Sequence, residues 1–411
     1  MDRNHRLEAA MMEDGFTQAE LVEKLNEKLM AAGYQGSVSD RTVRYWLTGK
    51  TRWPQQRQRS ALEAVFGRPS VELGFAPPEV PLLRRAFLSS TTAASAALSF
   101  PAAADSGRVG GSDVAMLRSS LDGLIGLDQA RGGQAALERA ALTGAADCLG
   151  KLDRAASQRV RQRLLSLASD FNRAAAWSNI DNRQTERAQS QLKESLYLAR
   201  LANDSTAEMG VWNLTSILAR QRKEYGHAID AAYAAQATTI TRRDPLFASL
   251  AHARTAVSHA TINDRQSALR SLGFAEDLLG KAEADIPRPT WIAFYGPAEL
   301  HALTSIVHDK LGFSAEAEAA SHQALAALPP PFRRNRAMAT MRLALAQLHQ
   351  RDSEQACATA SSAFELMAQA PLPGRMRSLM GDFYRDLITL APTAAVTREW
   401  GDRYRDQWSR P

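Results

Sequence analysis

Small residues recur at fixed intervals along the larger, C-terminal part of the chain. Ala228 and Ala235, Ala268 and Ala275, Ala317 and Ala324, and Ala356 and Ala363 each stand seven apart, two turns along one helix face. Twelve residues before each pair lies another small residue: Ser216, Ala256, Ser305 and Ala344. Ala176, Ala188 and Ser195 keep the same offsets one unit earlier. Successive units are about 40 residues apart, with one interval near 49 that holds Pro287–Pro289. From Ser112 onward the intervening sequence is rich in Ala, Leu, Arg and Gln at helical periods, with few β-branched runs. Antiparallel helices approach closely only where their side chains are small. The pattern therefore predicts stacked helix pairs, none of which buries its apolar face alone.

The N-terminal pattern is different. One helix opens at Gly15–Leu21, a second covers Val38–Lys50, and a third starts at Pro54 and runs through Leu62, Val65 and Phe66. Thr17 is a good N-cap, and Glu20 three residues on closes a capping box. Ser39 caps the second helix and Gly49 suits its end. Val43, Trp46 and Leu47 fall on one stripe and should face the core. Asp40, Arg41, Arg44 and Tyr45 are left on the other faces. Charge follows the same division. Between Val38 and Arg59 the bases Arg41, Arg44, Lys50, Arg52, Arg57 and Arg59 face the single acid Asp40, whereas acids outnumber bases before Ser37. A basic stripe confined to one segment fits a nucleic-acid face. Arg can pair with guanine, Asp can accept from cytosine, and Lys50, Arg52, Arg57 and Arg59 suit phosphates. The alternative is a small bundle with a solvated basic face.

Thr17-Gln18-Ala19-Glu20-Leu21, Val38-Ser39 through Gly49-Lys50, and Pro54 together resemble the Cro/phage-repressor class of helix-turn-helix regulators, the xenobiotic-response-element family. The resemblance implies that Gln18 touches a phosphate or base edge. It implies that Ser39, Asp40, Arg41, Thr42, Arg44 and Tyr45 enter or border the major groove of double-stranded DNA. Lys50, Arg52, Arg57 and the start of the Pro54 helix would hold the backbone. The chain departs from the family at Val22–Gly36, which adds about three helical turns or a loop between the first two motif helices.

With 411 residues, 45% of them hydrophobic, the chain can fill more than one core. Abundant Ala and Arg with scarce Lys suggest a GC-rich bacterial genome. The formal charge of +6 agrees with a nucleic-acid partner. Cys148 and Cys357 are too few for a disulfide framework or a metal site, and a reducing cytoplasm is compatible with them. No stretch is long and apolar enough to cross a membrane. Arg84-Arg85-Ala86-Phe87-Leu88, with the run to Ala104, looks like a twin-arginine export signal. Its position behind a whole DNA-binding module favours a docking helix and linker instead, flanked by Pro77, Pro78, Pro81, Gly107, Gly110 and Gly111.

The small-residue triads, Trp212 and Pro329 resemble the tetratricopeptide repeat over roughly residues 160–370. Large aromatic positions of that repeat are replaced here, among others by His252, His259, His301 and His308. These histidines either fill packing positions or form a pH-sensitive or metal-binding seam. No phosphate loop, His-Glu-x-x-His pair or nucleophile elbow is present, so no enzyme, cofactor or metal is expected.

The expected fold is all-α: a helix-turn-helix bundle over 1–75, a linker over 76–111 and a tetratricopeptide-like superhelix over 112–411. That combination resembles the bacterial peptide-receptor regulators of quorum sensing. In those regulators a signalling peptide on the concave face changes the spacing of two DNA-binding heads. Arg52-Trp53-Pro54-Gln55, Phe66-Gly67-Arg68-Pro69 and Glu72-Leu73-Gly74-Phe75 also resemble developmental and antibiotic-production regulators of filamentous high-GC bacteria. The resemblance implies a cytoplasmic, homodimeric, repressor-type regulator that senses a peptide, small molecule or protein partner. The competing class is a protein-binding scaffold tethered to DNA. Concave residues come from the first helix of each pair; they include Arg173, Trp177, Asn213, Arg220, Glu299 and Asp309, which hold a ligand or simply line a solvated groove.

Overall fold

The computed structural model describes residues 4–31, 34, 38–68, 70, 72–75, 108–131, 135–283, 285–329, 332–367 and 374–408. Among them are 19 α-helices, two single 3-10 turns and one isolated bridge, Val109 to Ala155. Contacts divide the chain into two compact units, Met1–Ser99 and Phe100–Pro411. The twin-arginine-like run from Arg84 to Ala104 lies outside the described residues.

The first unit holds α1 (His5–Glu13), α2 (Gln18–Ala31), α3 (Asp40–Leu47) and α4 (Gln56–Phe66). Helix α1 has no counterpart in the sequence reading. Thr17 and Glu20 form the expected reciprocal box: the Glu20 N–H donates to Thr17 Oγ1 at 3.3 Å and the Thr17 N–H to Glu20 Oε2 at 2.8 Å. The segment added after Val22 continues α2 to Ala31, burying Leu21, Leu25 and Leu29 at four-residue spacing. Two boundaries are corrected. Helix α3 is shorter than Val38–Lys50, because Ser39 caps it and Thr48 Oγ1 donates back to the Arg44 carbonyl at 2.8 Å. Gly49 then turns the chain at φ +69°. The next helix starts at Gln56 rather than Pro54, because Gln55 is extended and its N–H donates to Gln58 Oε1. Val43 and Trp46 are fully buried with Leu7, Leu62 and Phe75, and Leu47 packs at the edge of that core.

In the second unit α5 (Gly111–Arg131) and α6 (Ala135–Gly150) precede six helix pairs. These are α7 (Gln158–Asp181) with α8 (Thr185–Ala202), α9 (Ser205–Gln221) with α10 (Tyr225–Ala237), and, after short α11 (Thr239–Arg243), α12 (Pro245–Thr261) with α13 (Arg265–Gly280). Then come α14 (Pro297–Lys310) with α15 (Ser314–Ala327), α16 (Arg333–His349) with α17 (Ser353–Leu366), and α18 (Gly374–Leu390) with α19 (Ala395–Trp408). All fifteen small residues of the sequence pattern are buried where first and second helices meet. Two of the serines are hydrogen-bonded there: Ser195 Oγ donates to the Ser169 carbonyl at 2.8 Å, and Ser305 Oγ meets Ser321 Oγ at 2.7 Å, whereas Ser216 Oγ meets Ser258 Oγ of the next pair at 3.3 Å.

The turns within the pairs repeat as well. Seven residues after the first small residue of each unit, Arg183, Lys223, Asn263, Gly312 and Arg351 all adopt positive φ, between 60° and 80°. The next N–H then donates five residues back in every case: Gln184 to Asn179, Glu224 to Ala219, Asp264 to His259, Phe313 to His308, Asp352 to Gln347. This is the left-handed helix stop that satisfies terminal carbonyls. In four of the five it is made without glycine, at a local conformational cost.

The array closes on itself. Buried Asp181, at the end of α7, accepts from Arg334 of α16 at 3.0 Å and from Arg375 of α18 at 2.7 Å. Asp128 of α5 joins the knot, accepting from Trp177 Nε1 at 2.8 Å with Arg334 3.6 Å away. Arg375 lies over the Trp177 ring. A Cβ on Gly374 would stand 3.0 Å from the Asp181 carbonyl oxygen, so only glycine lets α18 start this close to α7. The first pair is thereby tied to the fifth and the sixth.

A second tie is titratable. His349 Nδ1 lies 2.6 Å from Asp309 and Nε2 3.3 Å from Asp386. The hydrogen bond to Asp309 raises the His349 pKa, with burial opposing and Asp386 adding to the rise. A raised folded pKa contributes stability that is complete below the unfolded value of about 6.5 and lost as pH rises through the folded one. The urea midpoint of the wild type should therefore exceed that of His349→Gln at pH 6, with the gap shrinking by pH 9. A gap that is constant with pH contradicts a charged pair.

Candidate functional site

In the first unit the exposed surface of α3 carries the predicted residues. Asp40, Arg41 and Arg44 are exposed and Tyr45 is half-buried. Arg41 Nε donates to the Tyr45 hydroxyl at 2.8 Å, and Lys50 Nζ lies 4.5 Å from the same ring. Arg41, Tyr45 and Lys50 thus form one cationic cluster on a phenol. The Arg41 bond pulls the Tyr45 pKa below its ordinary value. Arg44, Arg52 and Arg57 are exposed, and none of these bases makes an ion pair among the described residues. Arg59 differs: it donates to the Pro54 carbonyl at 2.6 Å and lies over Trp53, so it braces the loop before α4.

Three nominated residues hold α3 in place. Ser39 Oγ caps the helix and meets Thr42 Oγ1 at 3.0 Å. Gln18 Nε2 donates to the Asp40 carbonyl at 2.8 Å, fixing the start of α3 on α2. The sequence reading missed Asn26. Its amide brackets Val38, donating to the Val38 carbonyl at 3.0 Å and accepting the Val38 N–H at 2.6 Å. The added turns of α2 thereby supply a clamp on the strand-like approach to α3. An Asn five residues after buried Leu21 carries no signal of that role in the sequence.

In the second unit a cavity of about 440 Å³ lies among the first helices of the pairs, α5 and α18. Five of the six nominated residues line it: Arg173, Trp177, Asn213, Arg220 and Glu299. Most are already engaged. Buried Arg173 pairs with Asp170 at 3.1 Å and lies over Trp291. Asn213 Oδ1 accepts from Arg254 Nε at 2.8 Å, and Glu299 stands 3.5 Å from Arg254. Burial raises the Glu299 pKa, against the pull of Arg254. Asp309 is not among the cavity-lining residues; its carboxylate lies 2.6 Å from His349 Nδ1. Arg220 alone among the six has no partner; its Nε is buried without a hydrogen bond. Burial lowers its pKa to about 9, with Arg254, Arg342 and Arg375 adding repulsion.

The cavity wall also holds residues that sequence reasoning did not nominate. Arg254, Lys310, Arg334, Arg342 and Arg375 come from four different helices, and only Arg254 and Arg342 share a repeat position, two residues before Ala256 and Ala344. The histidines lie elsewhere. His252 tilts on Phe274, His259 meets the Tyr233 hydroxyl at 3.0 Å, and His308 stands edge-on to Phe313. They occupy packing positions between helices. Among the described residues no group of three His, Cys, Asp or Glu side chains converges on a metal position. No described helix is long and apolar enough to cross a membrane.

No protein-family model matches the chain. Comparison with curated proteins likewise finds no match.

Proposed function

We propose that the chain is a DNA-binding transcriptional regulator in which α2 and α3 act as a helix-turn-helix and the helix-pair array, tetratricopeptide-like in its small-residue triads, dimerises and receives an effector. The observation that carries this reading is the clamped α3 with its unpaired exposed bases. Ser39, Gln18 and Asn26 fix the helix, while Arg41, Arg44, Tyr45 and Lys50 remain available at its surface. A helix fixed in this way can place the exposed Arg44 guanidinium, and Arg41 braced on Tyr45, on base edges at little ordering cost. Arg52 and Arg57 suit phosphates of the flanking backbone. One such head contacts too few bases for selectivity, so two copies would read two half-sites. The cytoplasm is the place of such work. No catalytic step belongs to this reading.

Purified protein should enrich a small set of genomic duplex fragments, identified by sequencing. On the enriched site Arg44→Ala should cost about 1–3 kcal/mol and relax one base position, while Arg57→Ala should weaken all sequences evenly and flatten the salt dependence. Equal retention of all fragments, or unchanged affinity in an Arg41→Ala, Arg44→Ala double variant, would remove the assignment.

One observation favours a second reading. The Asp181 tie joins the first and fifth pairs, which suits a fixed scaffold for a protein partner with the first unit as tether. In that case no effector changes DNA affinity.

A further inference from the structure

The cavity wall carries eight cationic side chains against three carboxylates. Arg254, Arg334, Arg375 and Arg173 are paired with Glu299, Asp181, Asp128 or Asp170. Arg220 of α9, Lys310 of α14 and Arg342 of α16 are not, nor is the eighth, Arg183, which is exposed in the turn after α7: none has an ion pair or side-chain hydrogen bond among the described residues. Burial comes first in lowering the pKa of Arg220, Lys310 and Arg342. Repulsion follows for two of them: Arg342 and Arg220 act on Lys310, and Arg254, Arg342 and Arg375 act on Arg220. For Arg342 the attraction of Asp309 and Asp382 opposes burial, which Arg375 reinforces. The carboxylates that attract them are already engaged, Asp309 by His349 and Asp382 by Arg385. Half-buried Arg220 and Arg342 and exposed Lys310 are thus brought from three separate pairs to one cavity, where the carboxylates within reach are shared with other partners, and the arrangement is unfavourable for the cations. An anion removes the penalty.

The same three helices contribute apolar wall. Ile217, Ile306 and Met338 lie one turn before Arg220, Lys310 and Arg342, and all three line the cavity. The volume falls within the range of small-molecule sites, about 300–1,000 Å³.

We propose that this cavity, read as the effector site of the regulator above, takes a small amphiphile whose head is a multiply charged oxyanion, held by Arg220, Lys310 and Arg342, and whose body is apolar. The head is a phosphate ester or a pair of carboxylates; both offer acceptors to guanidinium forks and an ammonium. The proposal rests on the regulator reading only for the word effector.

The test uses full-length protein and calorimetry with four probes: 1-naphthyl phosphate, 1,8-naphthalenedicarboxylate, 1-naphthol and inorganic phosphate. One of the two charged naphthyl probes should bind saturably and raise the melting temperature, and which one does so separates phosphate from dicarboxylate. Naphthol should bind at least about tenfold more weakly for want of the charge-assisted bonds, and inorganic phosphate more weakly for want of the body. In Arg220→Gln, Arg342→Gln the charged probe should lose about 100-fold in affinity. The melting temperature of that ligand-free variant should not fall, because repulsion is relieved. A merely structural role predicts the opposite shift. Binding unchanged in the variant, naphthol binding as tight as the phosphate, or no saturable binding of either charged probe overturns the proposal. Saturable binding that leaves affinity for the enriched DNA unaltered keeps the site and removes the regulator reading instead.

Discussion

Asp181→Ala is expected to destabilise the second unit by about 3–5 kcal/mol, the cost of removing one partner from a buried ion network. The side chain is 1% exposed and serves two guanidinium groups from different helices. Without it Arg334 keeps only Asp128, 3.6 Å away, and Arg375 keeps only the Trp177 ring. In a unit of this size each kcal/mol shifts the melting temperature by about 2–4 °C, so a fall of about 10 °C is expected in calorimetry. The exposed pair Arg385–Asp382 is the control: Arg385→Ala should cost about 0–1 kcal/mol, because water and salt screen it. Equal effects of the two substitutions would mean that the closing network contributes no more than a surface pair.

Trp46→Ala should unfold the first unit while sparing the second. Trp46 is 1% exposed and meets Phe75 edge to face at 6.0 Å. Loss of a buried tryptophan costs about 3–5 kcal/mol through lost transfer energy and the cavity left behind. A unit this small has a total stability near the lower end of about 5–15 kcal/mol, so most of it is forfeited. Hydrogen exchange should show loss of protection in α1–α4 and unchanged protection in α7–α17. Arg44→Ala, which removes no core contact, should leave exchange in α3 unaltered. If Trp46→Ala kept α3 protected, the helix would owe its position to its caps and not to the core beneath it.

The helix pairs were legible in the sequence because their cause is local and periodic. A small residue is needed at each crossing, and Ser216, Ala228 and Ala235 recur at fixed offsets whatever surrounds them. Caps were legible for the same reason: Thr17–Glu20 and Ser39 act within four residues. The ties across the array were not. Asp181 meets Arg334 from 153 positions away and Arg375 from 194, and neither residue type nor spacing announces the meeting. The partner of Asp309 was hidden for the same reason. Its position on the first helix was read correctly, but His349, which meets its carboxylate, stands 40 residues on. Arg220 was found by register alone; that it stands without a partner is visible only once Lys310 and Arg342 are beside it. The first unit's clamp, Asn26 on Val38, is a backbone contact that any polar residue could advertise.

The Asp181 knot has a consequence for ancestry. An open array of repeats can gain or lose a unit by duplication or deletion, because each unit touches only its neighbours. Here the end of the first helix of the first pair must find the start of the fifth pair. One unit more or fewer would carry Arg334 past its carboxylate and leave charges buried alone. The chain therefore counts its own repeats, and its descendants can diverge by substitution and by loops such as Pro287–Pro289, but not by copy number.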